Sequence, residues 1–555
     1  MATTHKRVEE DPQLVNQPIS PIQGMKTGET ASAQSSTSRE TVPKHTISHD
    51  ESTLMQASSA PRILTENDCP EALAYAWPKW KKWGTLTIIF LVQISMNLNA
   101  SLYANGQSGI VKDLGVSSQA AVSGAAIFLV LYAFGCELWA PWSEEFGRKP
   151  VLQCSLLMVN ICCIPVGLAT YHRSFAGILI GRAFGGLFSA GGSVTLGVVA
   201  DMFTADEQEL PLAYIVLSSV GGSIIGPIVG GFIEQDLHWT WTIWIQLIFG
   251  VFVQILHLLF VPETRSAILV NRYAKKIRKA KFDATGEKSN VFGPFELKPF
   301  KDYLVPKEIL SIWLRPFQML YREKIVMVLS LLSGFSDALI FMQIQSMHRV
   351  YDLWRFSNPQ LGLSFIPLGL AYILAYILFI PSVYRNRVLR ARNPLSEHAQ
   401  YESRLWWLLF TAPLLPVGLF IFAWTSTPEV HWIAPMIGCL FIGIANYTIY
   451  MTTVDYMVKA YGPYSASATG GNGFARDFLA GVLTWAAAPY YNAFEFHYGL
   501  QVANTVLAAI GLILVIATFV IYYKGPAMRK RSPFAESLSH SRSRISPTVL
   551  PPTIV

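Results

Sequence analysis

The 555-residue chain is 52% apolar and only 14% charged, against about 25% charged for soluble domains, which nearly excludes a soluble enzyme built from several domains of about 150 residues. Its net charge of +7 is gathered in short basic segments between apolar stretches, where the negative inner leaflet of a membrane accounts for it better than nucleic acid does. The expected surroundings are therefore a lipid bilayer, with no nucleic-acid partner. Six cysteines, five of them inside apolar runs, have neither metal-ligand spacing nor a secreted disulfide framework. No metal and no cofactor is expected.

Residues 1–78 are rich in Ser, Thr, Pro, Gln and Glu with no apolar leader, and they are expected to form a disordered cytoplasmic tail. A helix needs about 20 apolar residues to cross a hydrocarbon core about 30 Å thick. Twelve stretches meet that need: 83–103, 120–140, 151–170, 175–200, 212–233, 241–261, 325–347, 361–383, 405–424, 432–456, 465–490 and 500–523. Lys79, Lys81 and Lys82, Arg148 and Lys149, Arg385 to Arg392, and Lys524 to Arg531 all fall on the side of the termini, so the positive-inside rule makes both termini cytoplasmic.

The spans divide into a six-helix half over 79–262 and another over 325–523, joined by a polar cytoplasmic loop over 263–324, with a cytoplasmic tail over 524–555. An all-α membrane protein of two six-helix halves is what parallel transporter repeats produce.

Several motifs sharpen this reading. After the second span comes Ala140-Pro-Trp-Ser-Glu144-Glu-Phe-Gly147-Arg148-Lys149, a tight turn in which Gly147 permits the bend and an acid sits close to two bases. It resembles the loop signature G-x-L-x-D-x-x-G-R-K of the major facilitator superfamily, with Ala140 and Glu144 as departures. The resemblance implies a charge latch of Glu144, Gly147, Arg148 and Lys149 between the halves. Arg182, followed by Gly185 and Gly186 in the fourth span, resembles the R-x-x-x-G motif whose arginine assists proton coupling. A bare guanidinium in hydrocarbon costs several kcal/mol, so it must face a cavity or a partner.

In the fifth span, Gly222, Gly226 and Gly230 recur at every fourth residue with Pro227 and Gly231 beside them. Such a stripe admits close backbone approach, and Pro227 kinks the helix within it. The composite resembles the motif of drug:proton antiporters. Together with Pro262-Glu-Thr-Arg265, Glu402-Ser-Arg404, Asn472 with Arg476, and Lys524-Gly-Pro526, it makes the chain similar to the fungal twelve-span drug:proton antiporter group, often labelled polyamine or multidrug transporters. That resemblance implies a monomeric secondary transporter in the cell membrane, not an enzyme, exchanging protons for a small-molecule substrate.

Polar residues within the spans are the candidates for the transport site. Gln93, Asn97, Tyr132, Asn446, Tyr450, Asn472 and Arg476 are the expected cavity residues, and Arg182, Asp337 and Glu137 the proton-coupling candidates. Asp337 is equally readable as a static salt-bridge partner. Neutral amides in the first span, with Arg182 and Arg476 elsewhere, argue against a dedicated polycation site. The aromatic content suits amphipathic, partly aromatic cargo such as xenobiotics, antifungals or the producer's own secondary metabolite. A proton-coupled importer of a nutrient or polyamine on the same fold is the rival reading, opposed chiefly by the fifth-span motif. A membrane acyltransferase rests only on His348-x-x-x-Asp352, a short pattern that chance supplies, and no ATP-binding loop is present.

Overall fold

The computed structural model describes residues 61–204, 207–286, 288–296, 306–494 and 498–535. The expected tails therefore lie outside the described residues over 1–60 and 536–555.

The first half comprises α1 (Lys79–Leu114), α2 (Ser118–Phe146), α3 (Arg148–Gly167), α4 (Phe175–Met202), α5 (Glu209–Asp236) and α6 (Trp241–Phe260). The linker carries α7 (Ser266–Thr285) and α8 (Pro306–Arg322). The second half comprises α9 (Lys324–Trp354), α10 (Asn358–Arg392), α11 (Glu402–Thr425) and α12 (Ile433–Ala460), then α13 (Ser465–Asn492) and α14 (Gly499–Arg529). Among the described residues, eleven helices are long and apolar enough to cross a membrane.

The expected span missing from these eleven, α13, has 28 residues but falls short in apolarity because it carries Asn472, Arg476 and Asp477, all buried. It packs between α9 of its own half and α2 of the other, so its polar side chains meet protein. By contrast, α6 and α14 turn apolar side chains outward, with Leu259 and Ile513 each 67% exposed, as a lipid-facing surface requires. Two opposite ends follow from the chain path. The basic end carries the start of α1, the α2–α3 turn and the linker.

The expected tail and loop differ from the structure at their facing edges. Residues 61–78, assigned to the tail from composition, form three 3-10 turns and a strand β1 (Arg62–Ile63), which pairs in parallel with β2 (Val291–Phe292) in the linker. The amides of Arg62 and Leu64 donate to the carbonyls of Asn290 and Phe292, each at 2.8 Å. Leu64, Cys69 and Leu73 are buried against Val270 and Ala274 of α7. Tyr273 donates to Glu71 at 3.1 Å and Ser266 to Glu66 at 2.5 Å. Three scattered apolar residues cannot form a core alone; the partner that completes this one lies about 200 residues downstream.

The docking of this strap on the linker should fail when its apolar nucleus does. Leu73→Asp buries a charge in place of a packed side chain, a loss on the order of 3 kcal/mol. Hydrogen exchange should then speed up in 61–78 and 266–292 and stay unchanged in the bundle; uniform protection throughout contradicts the docking. Hydrogen bonds from Arg278 hold Glu296, beside β2, below the usual glutamate value. A depressed carboxylate contributes stability above its ordinary value and loses it as the pH falls through the depressed one. Acidification below the ordinary glutamate range should therefore loosen β2 and β1, read as exchange corrected for its intrinsic pH dependence.

Candidate functional site

Residues of both halves enclose a cavity of about 440 Å³. It runs from Glu66, Glu144, Arg148, Arg265 and Ser266 at the basic end to Gln93, Tyr132, Tyr450, Asn472 and Arg476 at mid-depth. Towards the opposite end the halves touch. A Cβ on Gly231 of α5 would lie 2.5 Å from the Asn358 carbonyl of α10, and one on Gly362 would lie 2.7 Å from the Pro227 carbonyl. Gln119 of α2 also donates to the Trp485 carbonyl of α13 at 2.8 Å. The cavity is thus reached from the basic end.

The polar wall of the cavity is built by the helices the sequence singled out. Gln93 donates to Ser219 at 3.2 Å and its oxygen accepts from Thr195 at 3.4 Å; Gly192 leaves it room, since a Cβ there would come within 2.6 Å. Asn97 lies deeper, at a small void lined also by Asp337, Arg476 and Asp477. Asn446 donates to Ser336 at 3.1 Å behind the wall. Asn472 is fully buried, and among the described residues neither its carboxamide nitrogen nor its oxygen has a hydrogen-bond partner.

Arg476 forms the floor. Its Nε and Nη2 donate to Asp477 at 3.0 to 3.1 Å, and Asp337 stands 3.8 Å away. The guanidinium lies over the Tyr450 ring, 4.3 Å from its centre. Arg182, by contrast, is enclosed between Tyr103 and Phe128 and donates to Gly124 and Asn99. No acid faces it among the described ion pairs, so of the two arginines only Arg476 is brought to Asp337. Glu137 lies buried on α2 against Gly470 of α13, and its Oε1 has no hydrogen-bond partner among the described residues.

The glycine stripe has a specific partner. Gly222, Gly226 and Gly230 meet Asn97, Ser101 and Asn105 of α1, advancing together by one helical turn at each step, as two parallel helices in register do. Ser101 donates to the Gly222 carbonyl at 3.2 Å. The stripe therefore closes α1 on α5 inside the first half, while Pro227 and Gly231 face the second half.

At the basic end the residues of the expected latch make contacts within the first half and the start of the linker. Arg148 pairs with Asp201 at 3.0 Å and donates to Ser143 at 2.6 Å. Glu144 contributes its carbonyl to Arg265 at 3.2 Å, and its carboxylate makes no ion pair among the described residues. Glu263, from the Pro262-Glu-Thr-Arg265 motif, accepts from the amides of Arg148 and Lys149 and caps α3, as an anion at a helix N-terminus should. Gly147 has φ +100°, and a Cβ there would meet the Glu263 carboxylate at 2.6 Å. Lys149 reaches the Leu258 carbonyl at 2.9 Å.

A tie between the halves went unread in the sequence. Glu209 on α5 accepts from Arg390 on α10 at 2.5 Å and pairs with Arg404 at 3.0 Å, which also holds Asp455. Arg390 is visible in sequence only as a topology signal, and nothing local ties it to an acid 181 residues earlier.

Two halves of apolar helices around a central cavity open at one end have the architecture of a membrane transporter. The sequence model of the Major Facilitator Superfamily matches residues 87–485, and the chain belongs to that family. It is 30% identical over 466 residues to the MFS-type transporter paaT of Penicillium rubens, covering 83% of this chain and 81% of the relative. To the MFS-type transporter kojT of Aspergillus flavus it is 28% identical, covering 82% and 79%. It is 27% identical to the efflux pump FUB11 of Gibberella moniliformis, covering 82% and 75%. The solved structure of the proton:xylose symporter XylE shares the fold, with a TM-score of 0.57 and 14% identity over 80% of this chain and 97% of that one.

The two glycine contacts separate by experiment. Gly226→Leu overpacks α1 against α5 and should cost about 1–3 kcal/mol of stability. Gly231→Leu should instead wedge α5 from α10, raising the labelling of a cysteine placed at Ser223 by an impermeant thiol reagent applied from the opposite end. Equal labelling in both variants contradicts the division. At the basic end, Arg148→Ala breaks an ion pair and should slow turnover about tenfold, a barrier change of about 1.4 kcal/mol. Glu144→Gln breaks none and should slow it less than about threefold, so an equal loss in the two variants counts against Asp201 as the partner.

Proposed function

We propose that the protein exports small amphipathic organic molecules, xenobiotics or a secondary metabolite of the producing cell, in exchange for protons. The observation that carries this is Arg476 of α13, which lines the chamber reached from the basic end and pairs with Asp337 and Asp477 at the small void behind it. A carboxylate beside a guanidinium and next to a cargo site is a group whose proton can depend on cargo and on conformation. Tyr132 and Tyr450 offer aromatic faces beside the polar Gln93 and Asn472, which suits cargo that is partly aromatic and partly polar.

In this reading the basic end faces the cytoplasm, both termini lie there, and the protein works as a monomer in the cell membrane. The captured state is the cargo-loading one. Export also fits the names of relatives, which include an efflux pump and a transporter of an ascochitine biosynthesis cluster. Arg148, paired with Asp201, bears on the change of state from the basic end, and Pro227 and Gly231 supply the packing surface between the halves.

The test is efflux of the neutral dye Nile red from cells expressing the chain, with and without a protonophore. Wild-type efflux should stop when the proton gradient is collapsed, and Asp337→Asn should let the dye equilibrate without concentrating it outside. Undiminished efflux in the protonophore, or uptake in place of efflux, overturns the reading.

A further inference from the structure

Arg476 lines both the cavity and a small void behind it where Asp337 and Asp477 stand, and the arrangement of these three groups bears on how many protons move. Resting on the proton-coupled reading above, we propose that Asp337 and Asp477 together carry a single proton, shared through Arg476, and that Asp477 is the member that reports the relative position of the two halves.

Charge balance gives the number. With both acids ionised the trio holds one excess negative charge, and with one proton bound it holds none. All three side chains are largely buried, at 16%, 6% and 7% exposure for Asp337, Asp477 and Arg476, and an unpaired charge in such a place is strongly disfavoured. Carboxylates sharing one site titrate as a pair, with the proton belonging to both. Both also border the same small void of about 10 Å³, room for about one water, so a proton can pass between them. The charged and titratable groups around the trio are Tyr132, Cys136 and Glu137 on α2, Tyr372 on α10 and Tyr450 on α12. None of these is a second cation, so Arg476 is the trio's only positive partner among them.

Geometry separates the two acids. Asp337 on α9 meets Arg476 and has Asn446 beside it, both of the second half. Asp477 binds Arg476 through both oxygens, and its Oδ2 also lies 3.9 Å from Cys136 Sγ on α2, in the first half. When the halves rock, that last contact changes and the Arg476 pair does not. The proton balance is plain: one proton taken from water on one side resides on a carboxylate oxygen and returns to water on the other, with no other bond altered.

Infrared spectroscopy of the purified full chain in lipid nanodiscs tests this on the resting protein, without cargo. The protonated-carboxyl band of wild type should lose the same one-carboxyl intensity in Asp337→Asn and in Asp477→Asn, because the remaining acid is balanced by Arg476 in each. Arg476→Gln, which removes the counter-charge, should raise the band by one further carboxyl and supplies an independent reading if either Asn variant fails to fold. Retention of the full band in Asp477→Asn, or an unchanged band in Arg476→Gln, overturns the shared proton. Failure of proton coupling itself is a separate result, since it shows as protonophore-resistant Nile red efflux by wild type.

Discussion

A guanidinium buried in a helical bundle has to be balanced within the reach of its own side chain, because it is largely withdrawn from bulk water and salt. Arg476 imposes that demand on this fold. It draws Asp477 from the next position of α13 and Asp337 from α9, and α13 lies between α9 and α2. The low apolarity that separates α13 from the other long helices is the same fact seen in composition. Arg182 shows the other solution, with carbonyl oxygens and two aromatic rings in place of an acid. It fixes α4 against α1 and α2 and leaves the charge chemistry to the second half.

The halves meet through different physics at the two ends of the bundle. At the opposite end α5 and α10 meet backbone to backbone through Gly231 and Gly362, a contact of dispersion and shape that any bulky side chain spoils. At the basic end the halves are joined through Glu209, Arg390 and Arg404. Ions can be rehydrated when they part, so their separation towards water costs far less than exposing an unpaired ion inside the bundle. Glu263 keeps the α2–α3 turn rigid through its backbone contacts, so Arg148 and Asp201 move as one piece.

Periodicity and length made much of this legible. Eleven apolar spans, the basic loops and the one-sided glycine stripe follow from apolar runs and from a repeat near one helical turn. A repeat gives a face and never its partner, so α1 as the mate of Gly222, Gly226 and Gly230 needed coordinates. The same holds for Glu209 with Arg390, and for the strap of residues 61–78, whose three buried apolar side chains are too sparse to announce a core. Arg148 pairs with Asp201 at the end of α4, an acid 53 residues away that the spacing of the turn does not announce. Proximity in sequence is a poor guide wherever a turn aims two side chains apart.

The account turns on one link, between the proton on the Arg476 cluster and the end of the bundle that is open. Spin labels at Leu237 and Leu353, exposed positions in different halves, report the separation of the halves at the opposite end by pulsed electron resonance in nanodiscs. The distance distribution should shift between acidic and alkaline pH in the wild-type background and lose that shift when Arg476→Gln is added. A distribution that ignores pH in the wild-type background, or that responds equally with Arg476→Gln, would contradict the link.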